Sequence, residues 1–474
     1  ASDSIHDFMR QPLLVNPLSF SGPGLAKADV NGDGLDDIYT GGGKGQAGAL
    51  YLQQKSGSFI KKDEPAFEAD KMSEDVDAVF FDANGDGFID LYVVSGGYDS
   101  YQPEDALLQD RLYLNDGKGG FKKDNEALPI MHVSKSCAKV ADINGDGHPD
   151  IFVGGRVVPG QYPVTPASFV LVNDGKGHFK DEAATIAPQL QKAGMITDAA
   201  WIDLNGDNRE DLVVVGEWMP VMAFVNDNGK LVDKTTDFFD NRYSGWWNKL
   251  LAEDVNGDGR KDLVIGNLGE NSQCRVSDAQ PADLYYKDFD NDGNIDPILC
   301  FYVQGKSYPF ATKDELVNQL PALRKKFADY KSYADATIGD VLESDQLKDA
   351  GHLTANYLET AVFLRDATGK FRKSALPLQA QFAPVFAITA IDYDKDGHKD
   401  LLLCGNINHA SLRFGKYDAN YGVLLHNDGK GNFSYVSQLH SGFSLKGDVR
   451  SIININNTLL FGINGQAVKA YKLQ

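Results

Sequence analysis

A nine-residue acidic loop that recurs seven times, short β-branched segments on both sides of each copy, and Asp-Gly turns between further alternating segments predict an all-β chain, a β-propeller of four-stranded antiparallel blades. The 474 residues, 42% of them apolar, suffice for a large core or several smaller ones. Glycine is abundant (48 residues) and apolar runs are short, as many strands and turns require. No run is long and apolar enough to span a membrane. The chain opens at Ala1-Ser-Asp-Ser, without the basic and apolar regions of an export signal, so any such signal is expected to have been removed or never to have existed.

The first loop runs from Asp29 to Asp37. Asp29, Asn31 and Asp33 alternate, Leu35 offers its carbonyl, Asp37 closes the set, and Gly34 supplies the bend. Five oxygen donors in so short a span suit a hard cation such as Ca²⁺. The same set recurs as Asp82, Asn84, Asp86, Phe88 and Asp90, then as Asp142, Asn144, Asp146, His148 and Asp150. It returns as Asp203, Asn205, Asp207, Arg209 and Asp211, and as Asp254, Asn256, Asp258, Arg260 and Asp262. The last two sets carry a fourth carboxylate: Asp288, Asp290, Asp292, Asn294 and Asp296, then Asp392, Asp394, Asp396, His398 and Asp400. In each, the seventh position contributes only its backbone oxygen. Calcium, up to seven ions and mainly structural, is the expected cofactor, because an all-oxygen set disfavours soft metals and Mg²⁺ prefers octahedral sites that keep several waters.

The loops also account for the charge. The formal net charge is −21, which argues against nucleic acid as a partner. Seven divalent cations would bring it to about −7, an ordinary soluble surface. Cys137, Cys274, Cys300 and Cys404 are scattered and lie in or near apolar runs, so buried free thiols are expected and neither zinc nor a disulfide scaffold is.

Flanking residues set the local structure. Ala78-Val-Phe-Phe precedes a loop and Leu91-Tyr-Val-Val follows it, and similar pairs surround the other copies, so each loop is a hairpin turn between strands. An EF-hand would need helices there and an acid at the twelfth position, where Thr40, Val93, Val153, Val214, Ile265, Leu299 and Leu403 stand. A second hairpin, Asn115-Asp-Gly-Lys-Gly, recurs at Asn173 and Asn427, with weaker copies near Asn226 and Asp366.

Seven loops plus a metal-free C-terminal blade, over Val449–Tyr471, predict eight blades in a single domain spanning residues 1–474. The ring is expected to close when a strand near Phe8–Leu18 joins that last blade, which removes free edges. The step from Asp254 to Asp288 is only 34 residues, however; if Asp288–Asp296 is a second hairpin of the fifth blade, the count is seven. Residues 305–351 break the pattern as a helical insertion, with Leu316, Leu320, Leu323 and Phe327 at helical spacing and a break at Pro321. It would either cap one face or pack on a blade's outer edge.

The loops and their strands resemble FG-GAP (VCBS-type) repeats, the calcium-bearing units of the integrin α-chain propeller. The stretches Gly154–Pro163, Val215–Pro220, Ser244–Asn248, Gly266–Asn271, Asp314–Pro321 and Tyr417–Gly422 resemble bacterial secreted proteins akin to cartilage acidic protein 1. The resemblance implies a propeller, calcium, and an exported location in the periplasm, outside the cell or on its surface. It also implies adhesion or ligand binding without a settled reaction. A lipid anchor on a longer precursor stays open.

If calcium rivets one end, function belongs at the other, where the loops joining second and third strands emerge. Tyr98, Arg111, Arg156, Tyr162, Glu217, Trp218, Trp247, Asn267, Asn271, Arg413 and Tyr417 form the expected ligand ring there. Aromatics with Asn, Arg and Glu around a concave mouth suit a glycan, and a flat apolar mouth would suit a protein partner. The expected function is a non-catalytic binding or adhesion module. The alternatives are a carbohydrate-active enzyme, a polysaccharide lyase or glycosidase using Glu217, Glu270, Asp75, Arg156 and Tyr162, and a purely structural propeller in a larger assembly. No sharp catalytic motif such as GxSxG or HExxH is present.

Overall fold

The computed structural model describes residues 6–473; the Ala1–Ser4 opening lies outside them. Strands pair antiparallel into eight sheets, as the repeat count leads one to expect. The first sheet takes Leu25–Ala28, Asp37–Thr40, Ala49–Gln53 and Phe59–Lys62 in order, each strand beside the next. The second starts at Glu74–Phe81, the third at Ser134–Ala141, the fourth at Met195–Ile202 and the fifth at Lys249–Glu253. Two more start at Val385–Ile391 and Val449–Ile455.

These seven first strands lie side by side around a common axis, and the strand of the first sheet also meets that of the last. Between each pair of neighbouring blades sits an apolar cluster. Tyr39, Leu91 and Phe67 join the first blade to the second, and Ile38, Ile455 and Leu460 join the last blade back to the first. β-branched and aromatic side chains on both faces of each blade make this possible, since a blade is buried from both sides. The ring therefore holds seven blades.

The eighth sheet is an insertion. The chain leaves the fifth blade after Asp262–Gly266 and returns at Ala361–Arg365, which pairs directly with that strand. In between, Lys306–Pro309, Asp296–Val303, Ala282–Lys287 and Gly351–Ala355 form a separate four-stranded sheet carrying the sixth acidic hairpin. This explains the short 34-residue step in the sequence. The helical segment begins at Lys313–Gln319, where Thr312 and Glu315 form a capping box, and gives way to a 3₁₀ turn at Pro321–Arg324. Short helices at Tyr330–Ala334, Ile338–Val341 and Ser344–Asp349 follow.

The N-terminal segment corrects an expectation. Phe8–Leu18 does not add a strand to the last blade, which has three strands among the described residues. Asp7–Arg10 is a helical turn, and Pro12 and Pro17 lack the N–H a ladder needs. The Asp7 carboxylate instead accepts the Leu18 and Ser19 amides at 2.6 and 2.9 Å, and Gln11 Nε2 donates to the Tyr162 and Ile295 carbonyls. Leu14, Val15 and Leu18 pack with Trp218, Trp246, Ala282 and Phe301. The N-terminal segment and the inserted sheet thus cover the ring opposite the acidic hairpins, so the insertion caps a face.

Candidate metal loops and ligand face

The acidic hairpins share one architecture. In the first, Gly32 and Gly34 adopt φ of +73° and +83°, which turns the backbone tightly enough for three amides to point at Asp29. Asn208 takes the second of these positions in the fourth loop at φ +64°, a conformation asparagine tolerates. The closing aspartates Asp37, Asp90, Asp150, Asp211, Asp262, Asp296 and Asp400 are fully buried. Asp90 shows their role. One oxygen accepts the Ala83 amide at 3.0 Å within the loop, and the other accepts the Asn115 amide at 2.8 Å from the third strand. In the inserted sheet no third-strand amide takes this place; the Gln319 side chain of the first inserted helix donates to Asp296 at 2.5 Å.

A second set of residues, not among those expected from the sequence, ties five of the loops to the neighbouring blade. Asn115 Nδ2 donates to the Val30 carbonyl of the preceding blade's loop, and Asn173, Asn226 and Asn427 do the same to Ala83, Ile143 and Val255. Arg365 substitutes in the fifth blade, bonding the Asp203 and Leu204 carbonyls. The signal was present in the recurrent Asn that opens the Asp-Gly hairpin, but only the ring geometry gives it a target.

The loops fit a divalent cation by their donor chemistry. Carboxylate oxygens of Asp288, Asp290 and Asp296 lie within 4.8 Å of one another, as do those of Asp392, Asp394 and Asp396. Asp290 Oδ1 is buried with no partner in the protein. Burial pushes the Asp90, Asp150, Asp262 and Asp296 carboxyls up to about 6, with neighbouring loop aspartates adding to the effect at each. A bound cation would supply the missing countercharge.

The opposite face differs from the open aromatic mouth expected there. Tyr98, Arg111, Tyr162, Glu217, Trp218, Trp247 and Asn267 are all buried. Tyr98 donates to the Gln11 side chain. Arg111 meets Asp75 at 2.6 Å, and Tyr39 and the Gly42 amide occupy the other oxygen of Asp75. Glu217 accepts from Arg156 at 2.5 Å and from Tyr162 at 2.8 Å, while the Trp218 indole donates to the Tyr162 hydroxyl at 2.7 Å. Trp247 donates to the Tyr243 carbonyl, and Asn267 bonds the backbone at Trp246 and Tyr357. Coverage explains this burial: Tyr98 and Tyr162 bond Gln11 of the N-terminal segment, Trp247 stacks on Tyr357 of the insertion, and Arg111 and Glu217 are held in internal pairs. Asp75 and Glu217, two of the carboxylates considered for catalysis, are spent in these internal pairs.

Asn271 and Tyr417 line one surface cleft, although Tyr417 is buried in the same core cluster as Trp218, and Arg413 lines no part of that cleft. The exposed Asn271 donates to the Phe382 carbonyl at 3.0 Å, and Gln273 donates to the Arg413 carbonyl at 3.1 Å. Arg413 itself is half-buried, over the Phe310 ring and 2.8 Å from Glu315. Two adjoining surface clefts of about 310 and 520 Å³ share Asn271, Phe382 and Ala419. Tyr417, Lys416 and Asp418 line the first; Glu270, Arg275 and Leu378 line the second. The floor is rigid. Glu270 and Asn271 amides both donate to the Gln381 carbonyl, and the buried Gln381 side chain pairs with the Thr360 backbone. Sequence reading missed Leu378 and Phe382 because they follow a strand by several residues and carry no motif.

Residues 29–93, 82–153 and 203–265 match the FG-GAP-like repeat family. No curated protein matches the chain. Among solved structures, the chain is similar to the biofilm matrix protein Bap1 of V. cholerae, at 12% identity over 95% of this chain and 89% of that one, with a TM-score of 0.34. It is similar to Saccharomyces cerevisiae Sqt1 at 12% identity over 97% and 98%, TM-score 0.41, and to the Dos1 propeller at 9% over 98% and 97%, TM-score 0.42. No helix among the described residues is long and apolar enough to cross a membrane. The chain is a β-propeller carrying FG-GAP-like repeats.

Proposed function

We propose that this protein is an exported, calcium-stabilised propeller that binds a carbohydrate without transforming it, in the paired clefts beside Asn271 and Phe382. The observation that carries this reading is the composition of the clefts. Phe382 and Leu378 remain 36% and 62% exposed next to Glu270, Asn271 and Arg275, on a backbone held by buried hydrogen bonds. A partly exposed aromatic face offers a platform for the C–H face of a sugar ring, and adjacent planar amide and guanidinium groups satisfy its hydroxyls. The two volumes together accommodate an extended segment better than a single residue. Calcium supports the site from a distance by holding the blades, and Asn271 and Tyr417 supply part of the cleft lining.

A glycan array run with and without calcium tests the reading. Binding of at least one polysaccharide class, lost in Phe382→Ala while the melting temperature is kept, is the expected result. No binding by the calcium-loaded protein, or binding unaffected by Phe382→Ala, would rule it out.

A further inference from the structure

Along the ring axis lies a cavity of about 210 Å³, distinct from the clefts and lined by residues of all seven first strands together with Asn16–Phe20. Four of its lining residues carry buried polar atoms without a hydrogen-bond partner in the protein: Trp246 Nε1, Arg156 Nη1, Asn16 Oδ1 and Asp198 Oδ1, the last in an ion pair with Lys139. Trp246 is only 2% exposed. An indole N–H left alone in such a place is costly, so its persistence in one cavity with the Arg156 donor and the Asn16 acceptor points to something that satisfies all three. Hydroxyls of Ser136, Thr197 and Ser451 also face this region, and each donates to a backbone carbonyl, which leaves its oxygen free to accept.

The charged side chains of the wall balance in number: Asp77, Asp198 and Glu217 stand with Arg156, Lys249 and Arg450. Lys139 and Lys249 approach Asp198 at 2.9 and 3.0 Å, and Arg156 is engaged by Glu217. With three lining groups of each sign, the wall carries no net charge to favour an ionic guest, and burying a further charge there would be costly. Phe20 and Phe386 add apolar panels. An apolar cavity of roughly 150 Å³ admits a bare six-carbon ring, so the larger volume here has room for a hydroxylated one.

We propose that the axial cavity binds a neutral polyhydroxyl molecule the size of a single hexose, with Trp246 and Arg156 as donors and Asn16 as acceptor. Its place among the first strands of the blades separates it from the clefts at the rim, with which it shares no lining residue, and it does not depend on them.

Saturation-transfer NMR and calorimetry with free glucose, galactose and mannose test the proposal on the calcium-loaded protein. At least one hexose should bind, and Trp246→Phe, which keeps an aromatic ring and deletes the donor, should weaken it about three- to tenfold. Ala387→Leu, which fills the cavity, should abolish binding; if that variant does not fold, Trp246→Phe decides alone. The proposal is overturned if none of the three sugars binds, or if Trp246→Phe binds as tightly as the parent. It is equally overturned if binding survives Trp246→Phe and vanishes in Phe382→Ala, which assigns the sugar to the rim clefts. A crystal soaked in the binding hexose that shows water alone in the cavity overturns it as well.

Discussion

At one end of the ring, near-identical hairpins repeat with each acidic loop, built from turns of nine residues and exposed side chains around a buried closing aspartate. At the other end nothing repeats: a segment of residues 7–20 and an insertion of residues 267–360 meet side chains from several blades, across separations such as Gln11 to Ile295. The first end is stabilised locally and gathers carboxylates that suit a cation. The second is stabilised by packing and by buried pairs between distant parts of the chain. Loss of a single repeated loop is therefore expected to cost less than loss of a contact on the unrepeated face.

Removing the counterion should have the largest effect. Excess chelator is expected to lower the melting temperature by roughly 10 °C or more, with recovery on adding calcium, because several sites that bind only the folded state are emptied together. A melt that chelator does not move would break the comparison at its first term. Next comes Asp75→Ala on the opposite side, which strands the buried Arg111 guanidinium; urea titration should show a loss of about 3–5 kcal/mol. The same titration of Asp33→Ala, at an exposed loop position, should show a smaller loss, and equal losses would remove the contrast between local and unrepeated stabilisation. The smallest effect belongs to Asn208. Asn208→Ala forces an alanine to φ +64° and should cost about 1 kcal/mol, while Asn208→Gly should stay within a few tenths. Equal melting temperatures for both would show that the turn relaxes.

Much of this contrast was legible in the residues. Alternating acids, glycines at the bends and strand-forming flanks specify each hairpin within nine residues, so the sheets and the acidic end could be read without tertiary information. Pro321 stands at the break between Lys313–Gln319 and the following turn, where its missing N–H ends the helix. The ligand face was read less well. Tyr98, Tyr162, Trp218 and Trp247 are aromatic residues in loops or at strand ends, a pattern equally compatible with a ligand platform and with a buried interface. What distinguishes the two is whether another part of the chain lies on top, and no local pattern carries that.

By itself the sequence determined the repeating unit, its acidic donor pattern and the identity of the strands, because these depend on residues close together along the chain. Tertiary structure decided that seven blades, not eight, form the ring, since the sixth hairpin belongs to an inserted sheet and the partner of Asp262–Gly266 comes from Ala361–Arg365. It also decided which face stays open. Blade number and coverage depend on how far-apart segments share buried area, and that is settled only when the chain closes on itself.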